Sequence, residues 1–288
     1  MIAIVGASGF IGKNLVRHIA NAGYDVLPVY FSKPSDFKNE IQFEELLRSD
    51  IKIDEVIFCG GNSNHNVSNA GLLHAIEIDS NYIQQYFERF TCTKAILVSS
   101  AAVYYGYEGT VDERTCPRPN VNYGLSKRVA EMVFEKEVHY RGCSGVVLRL
   151  THAYGPGERD NRLFKNIARA VTNREILKVH GTGNSYINPV PIEFFDNVVT
   201  YLLNKEISSG LVEYYNIGSC ENLKVIDIVY ELNKYFDFDY AFEGEEEQPV
   251  NFMTSVKKLG DLGFKCEDSI RSLIEYIQSI INIDRKNI

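Results

Sequence analysis

A chain of 288 residues carrying a net charge of −8, with 45% hydrophobic, 12% aromatic and 24% charged residues, has the make-up of a globular protein, long enough for one large domain or two lobes sharing a cleft. The acidic balance argues against nucleic acid as a partner, because phosphate backbones are held by basic surfaces. Six dispersed cysteines without a Cys-x-x-Cys pair argue against a disulfide scaffold or zinc cluster and for a reducing cytoplasm, and no charged leader or membrane-length apolar run is expected.

Residues 1–5 read as a buried strand that runs into Gly6-Ala7-Ser8-Gly9-Phe10-Ile11-Gly12 and then an amphipathic helix to about residue 22. A strand, Gly-x-x-Gly-x-x-Gly and a helix form the arrangement that holds a dinucleotide pyrophosphate. The glycines permit a tight turn and close approach, and the helix start offers free amides. A second strand is expected over 25–31. Where an acidic residue would grip the adenosine ribose of NAD, the chain has Tyr30 or Phe31, then Ser32 and Lys33, a pair suited to the extra phosphate of NADP or simply solvated in a turn. Residues 34–54 read as short and polar with one amphipathic turn at 43–47.

Residues 54–61 read as another buried strand ending in Gly60-Gly61. The polar stretch 62–70 reads as an active-site loop in which His65 either contacts substrate or is solvated. A helix over 72–90 follows, with Asn81 a weak candidate for supporting the cofactor site. The strand 95–100 delivers Ser100 to the carboxyl end of the sheet, where open α/β folds bind ligands. Residues 107–120 read as a loop. The helix 123–140 then places Tyr123 and Lys127 on one face, with Val129, Met132 and Val133 on its apolar side. A cation beside a phenol lowers the phenol's pKa, so such a tyrosine can exchange a proton with a substrate oxygen near neutral pH. Two other Tyr-x-x-x-Lys matches, at Tyr201/Lys205 and Tyr230/Lys234, lack the glycine loop and the serine strand as company.

A strand over 146–150 ends in Thr151-His152-Ala153-Tyr154-Gly155-Pro156-Gly157. Beyond it the chain reads as a helix over 163–171, an extended segment over 186–191, a helix over 193–203, a solvated acidic run at 243–247 and a last amphipathic helix over 269–281.

With these residues in view, the chain resembles the extended short-chain dehydrogenase/reductases of the NAD-dependent epimerase/dehydratase family, whose members mostly act on nucleotide sugars. The resemblance rests on the glycine loop at Gly6, Ser-Ser-Ala-x-Val-Tyr from Ser99, Tyr123/Lys127 and Arg-Leu-x-x-x-Tyr-Gly-Pro from Arg149. Gly181-x-Gly183, Tyr215-Asn216-Ile217-Gly218-Ser219 and the closing Lys257-Lys258-Leu259-Gly260-x-x-Gly263-Phe264 complete it. It implies an α/β fold: a Rossmann-type, doubly wound parallel sheet over 1–156 and 190–218, with a smaller substrate lobe over 157–189 and 219–288.

It further implies catalysis by Ser100, Tyr123 and Lys127 with NADP or NAD. The implied cofactor contacts are Gly6, Ser8, Gly9, Phe10, Ile11, Gly12, Tyr30, Ser32, Lys33, Gly60, Gly61, Val98, Tyr123, Lys127 and Leu150. Substrate would meet Ser100, Ala101, Tyr123, His152, Arg159 and Arg162. His152 stands where the family carries an asparagine, so either arginine is expected to take over the diphosphate unless both are surface residues. Ala101-Ala102 occupy the place of the Asp-Glu pair that performs elimination in 4,6-dehydratases, which argues against water loss. The missing acid after the second strand and the compact substrate lobe favour a nucleotide-sugar 4-ketoreductase, with a 4-epimerase as the alternative, a non-catalytic dinucleotide-binding module as the alternative of a different class, and a homodimer as the assembly.

Overall fold

The computed structural model describes residues 1–61, 71–245 and 248–286. Seven strands run parallel in one sheet, in the spatial order Val212–Ile217, Ser144–Leu150, Lys94–Ser100, Glu55–Phe58, Ile2–Val5, Val26–Tyr30, Ile41–Gln42. Each neighbouring pair is parallel. The strand order reverses beside Ile2–Val5, and there a doubly wound sheet opens a crevice at its carboxyl edge.

Strand residues alternate between two cores, as a period of two requires. Ile2, Ile4 and Ile57 point to one face, where the helices Phe10–Asn21 and Ile192–Asn204 bury Leu15, Ile19, Phe195 and Val198. Ala3, Val5 and Phe58 point to the other, against the helices Leu72–Arg89 and Asn122–Arg141. Because both faces are covered, the central strands are continuous apolar runs. Lys94 fastens one helix end to the sheet: its Nζ donates to the carbonyls of Leu202 (3.1 Å), Leu203 and Lys205 (2.7 Å), cations being favoured at a helix C-terminus. A third buried cluster joins Phe164 and Ile167 to Ile228, Leu232, Leu273 and Ile277, contributed by the helices Leu163–Asn173, Val225–Phe236 and Ser269–Lys286.

Three local expectations change. The Asn122–Arg141 helix buries Ala130, Phe134 and Val138 rather than Met132, which is 54% exposed. Phe134 closes an aromatic cluster with Phe58 and Phe87, and that packing rather than local periodicity sets the buried stripe. Residues 107–120 contain a strand, Glu108–Val111, paired in parallel with Asn251–Thr254. The turn at 43–47 is a short helix, Phe43–Arg48, with Phe43 and Leu46 buried.

One buried carboxylate ties several of these elements together. Glu131, fully buried on the Asn122–Arg141 helix, accepts Arg149 Nε at 3.0 Å and Nη2 at 2.9 Å, Ser99 Oγ at 2.8 Å, and from its own helix the half-buried Arg128 Nη1 at 3.0 Å. Arg149 Nη1 donates to the Tyr104 hydroxyl at 2.7 Å; that hydroxyl stands 3.0 Å from both the Asp112 carbonyl and Asn216 Oδ1, one of which receives its proton. Burial opposes the Arg149 charge, and the bonds to Glu131 more than offset it. Removing one partner of such a pair leaves the other charge buried and uncompensated, at a cost of about 3–5 kcal/mol. Glu131→Gln is therefore expected to lower the denaturant midpoint by that order, and Glu131→Met combined with Arg149→Met to lower it much less.

Candidate active site

The glycine loop is shaped by close backbone approach. Gly6 has φ +94°, and a Cβ on it would lie 2.6 Å from the Gly60 nitrogen; a Cβ on Gly12 would lie 2.2 Å from the Gly6 carbonyl oxygen. Gly9 differs: it is exposed, and the nearest atom to a Cβ there is at 3.4 Å. The first and third glycines thus hold the turn against the next strand and the helix, while the second leaves room above it. No side chain caps the start of the Phe10–Asn21 helix, so its first-turn amides face a ligand site rather than a capping residue.

A cleft of about 460 Å³ opens there, walled by Ser8, Gly9, Phe10 and Ile11 on the loop, Gly60 and Gly61 on the next strand end, and Val98, Ser100, Tyr123, Lys127 and Leu150 beyond. His152, Arg159 and Arg162 form its far wall. A smaller cavity of about 120 Å³ adjoins it through Ser100, Leu150, Thr151 and His152, and is lined further by Ala101, Ala102, Asn188 and Phe252. Residues as far apart in sequence as Ser8 and Arg162 meet because the cleft lies at the carboxyl edge of the parallel sheet, with Tyr123 and Lys127 reaching it from the start of the Asn122–Arg141 helix. Tyr30, half-buried, ends the second strand, the exposed Ser32 and Lys33 follow it, and none of the three lines the cleft. Gly12 lies beneath it. Asn81 is exposed, and residues 62–70, with His65, lie outside the described residues.

The Lys94–Ser100 strand ends by alternation: Ser99 turns inward to Glu131, and Ser100 turns to the cleft. Ser100 Oγ accepts the Ala102 amide at 3.1 Å, capping the short turn Ala101–Tyr104, and so keeps its own proton for an oxygen in the cavity. Lys127 Nζ lies 5.6 Å from the Tyr123 ring centroid and donates at 2.8 Å to Asp79 Oδ1, a buried carboxylate on the Leu72–Arg89 helix. Asp79 escaped the sequence reading because its partner is 48 residues away; an aspartate amid the apolar residues of that helix was the signal available.

Glu158 also escaped it. Its Oε1 accepts the Tyr276 hydroxyl at 2.8 Å, and the residue is 5% exposed in the cleft wall. Burial pushes the Glu158 carboxyl up to about 7, against the lowering pull of Tyr276, Lys165 and Arg162. Burial, with Tyr123 nearby, pushes the Tyr105 hydroxyl up to about 12, and burial raises the Cys59 thiol, which makes Cys59 an apolar wall rather than a nucleophile. The open cradle over Gly9, the uncapped helix start and the cleft running on to Tyr123 fit a dinucleotide, with the loop at its pyrophosphate and Lys127 at its reactive end.

Comparison with known proteins agrees with this geometry. The profile described as the NAD dependent epimerase/dehydratase family matches residues 2–217. The dTDP-4-dehydro-6-deoxyglucose reductase of Escherichia coli is 26% identical over 267 residues, 81% of this chain and 82% of that one. A trifunctional UDP-glucose 4,6-dehydratase, 3,5-epimerase and UDP-4-keto-L-rhamnose reductase of Arabidopsis thaliana is 26% identical over 168 residues, 55% of this chain; the match spans only 25% of that protein's length. Among solved structures, MoeE5 in complex with UDP-glucuronic acid and NAD superposes with a TM-score of 0.85 at 22% identity, over 100% of this chain and 99% of that one.

A buried acid raised from 4.5 to about 7 stabilises the fold fully below pH 4.5, and that contribution is lost as pH rises through 7. Glu158→Gln is expected to match the native protein near pH 4.5 and to exceed it above pH 7, by on the order of 2 kcal/mol. Thermal unfolding across that range checks it.

Proposed function

The chain belongs to the NAD dependent epimerase/dehydratase family, and from that premise we propose that it reduces a 4-keto group on a nucleotide-linked sugar, using NADPH or NADH. The observation that carries this reading is the meeting of two cavities at Ser100, with Tyr123 and Lys127 in the larger one beside the glycine loop. A nicotinamide held beside the glycine loop in the larger cavity would supply the hydride. Ser100 hydrogen-bonds the substrate carbonyl and holds it toward Tyr123, whose hydroxyl delivers the proton as the oxygen takes up charge. Lys127 holds the cofactor's ribose and stabilises the tyrosinate left behind.

Ala101 and Ala102, 8% and 6% exposed, offer no acid or base from the turn that borders the smaller cavity, which supports reduction over dehydration. The likeness to a dTDP-sugar reductase and the absence of a carboxylate at Phe31-Ser32-Lys33 support a cofactor that comes and goes, rather than one retained through an epimerase cycle. The lobe built by residues 157–189 and 219–288 would hold the nucleotide end, with Arg159 or Arg162 at the diphosphate.

The assay offers 4-keto-6-deoxyhexoses linked to UDP, dTDP or GDP and follows loss of reduced-nicotinamide absorbance. Tyr123→Phe is expected to cut turnover at least 100-fold, the order of one general acid, while cofactor affinity stays nearly native. Wild-type turnover in that variant would overturn the mechanism. Stoichiometric NAD released on denaturing the purified protein would point instead to the epimerase. Exposed Leu73, Met132 and Tyr140 on the Leu72–Arg89 and Asn122–Arg141 helices support a homodimer, and sedimentation equilibrium is expected to show one.

A further inference from the structure

We infer that Asp79 is a positioning residue for Lys127, presenting Tyr123 with an anchored ion pair instead of a bare ammonium. The inference rests on the catalytic reading of Tyr123 and Lys127 above.

Three contacts converge on this carboxylate. The Asp79 side chain is wholly buried and that of Lys127 is 9% exposed, and their 2.8 Å contact joins two helices. The second carboxylate oxygen, Oδ2, accepts Ser126 Oγ at 2.7 Å, so Asp79 grips two consecutive residues of the helix turn that carries Tyr123. From the third side, Gly61 closes on the pair at φ +111°: a Cβ there would lie 2.4 Å from Asp79 Oδ1 and 3.1 Å from Lys127 Nζ. With its ammonium bonded to Asp79 and Gly61 packed against the pair, Lys127 stands 5.6 Å from the Tyr123 ring centroid. A flexible lysine would otherwise spread its charge over many rotamers.

The electrostatic consequence follows from the signs. A carboxylate 2.8 Å from the ammonium cancels much of its field beyond the pair. Tyr123 therefore faces an ion pair of small net field instead of an isolated cation. The other titratable neighbours are Tyr82 and Cys59 beside Asp79, Tyr105 next to Tyr123 with Arg162 beyond it, and His152 and Glu158 across the cleft. None of these shares the direct contact with Lys127 that Asp79 makes.

Thermal unfolding of the protein without added cofactor gives the first readout, using Asp79→Asn, Lys127→Met and the double variant. Each single variant strands one buried charge and is expected to melt lower near neutral pH; the double variant is expected to regain more than half of the summed loss. The Asp79→Asn deficit should shrink as pH rises and the Lys127→Met deficit as pH falls, since each change neutralises the stranded charge. If Asp79→Asn does not fold, the Lys127→Met variant and its rescue by the second substitution still decide the pairing.

The second readout is the pH profile of NADPH-dependent reduction of dTDP-4-keto-6-deoxyglucose. Asp79→Asn is expected to move the high-pH limb down by about one unit, and Asp79→Glu to return it toward native. Additive melting losses, or a high-pH limb that does not move, would overturn the role of Asp79. Retained turnover in Tyr123→Phe would instead refute the catalytic reading, leaving the melting result intact.

Discussion

The bidentate contact between Glu131 and Arg149 is the interaction on which the elements bearing the candidate site depend. Glu131 lies two turns beyond Tyr123 on the same helix, and Arg149 precedes the strand end that leads to Thr151 and His152. Ser99, hydrogen-bonded to the same carboxylate, immediately precedes Ser100. One buried charge pair therefore fixes the relative heights of three elements whose tips make the site. Its reach extends through Tyr104 to Asn216 on the edge strand and to the Asp112 carbonyl. A buried ion pair is a weak source of net stability, since desolvation offsets most of its attraction. Its value here is registry: an apolar contact could slide, whereas two parallel hydrogen bonds to a carboxylate cannot.

Around that frame, the site divides its tasks between backbone and side chains. Gly6 and Gly12 are needed because other backbone occupies the space of a side chain, so the loop's shape is set by steric exclusion. Gly9 and the uncapped amides of the following turn leave the open space that a bound dinucleotide would need. The groups proposed to react, by contrast, stand on regular elements. Ser100 ends a strand, and Tyr123 and Lys127 occupy the first two turns of a helix. The ion pair of Asp79 with Lys127 then ties that helix to its neighbour beside the candidate site.

The acids of this region show how burial divides their roles. Glu131 and Asp79 are met by cations and hydroxyls and serve as anchors. Glu158 is met by a phenol alone, and burial pushes it up to about 7, so it is the wall group whose charge changes near neutral pH. Asp196, 4% exposed on the Ile192–Asn204 helix and away from the cleft lining, is likewise pushed up to about 7 by burial and by Glu193.

Whatever depends on neighbours in the chain was legible in the sequence. The strand, glycine loop and helix at the start and the four-residue spacing of Tyr123 and Lys127 are local patterns, and the fold class follows from them, whereas Glu158 in the cleft wall does not. What depends on distant partners was decided by the tertiary structure. Met132 and Phe134 are both apolar on one helix, and only the aromatic cluster with Phe58 and Phe87 determines which of them is buried. Glu108–Val111 carries too little periodicity to read as a strand until Asn251–Thr254 supplies its partner. Asp79 is an ordinary helix residue until folding buries it and brings Lys127 to its oxygen. Periodicity records which side of an element faces inward, whereas burial of charge is tolerable only once a particular partner arrives, and that pairing exists only in the folded chain.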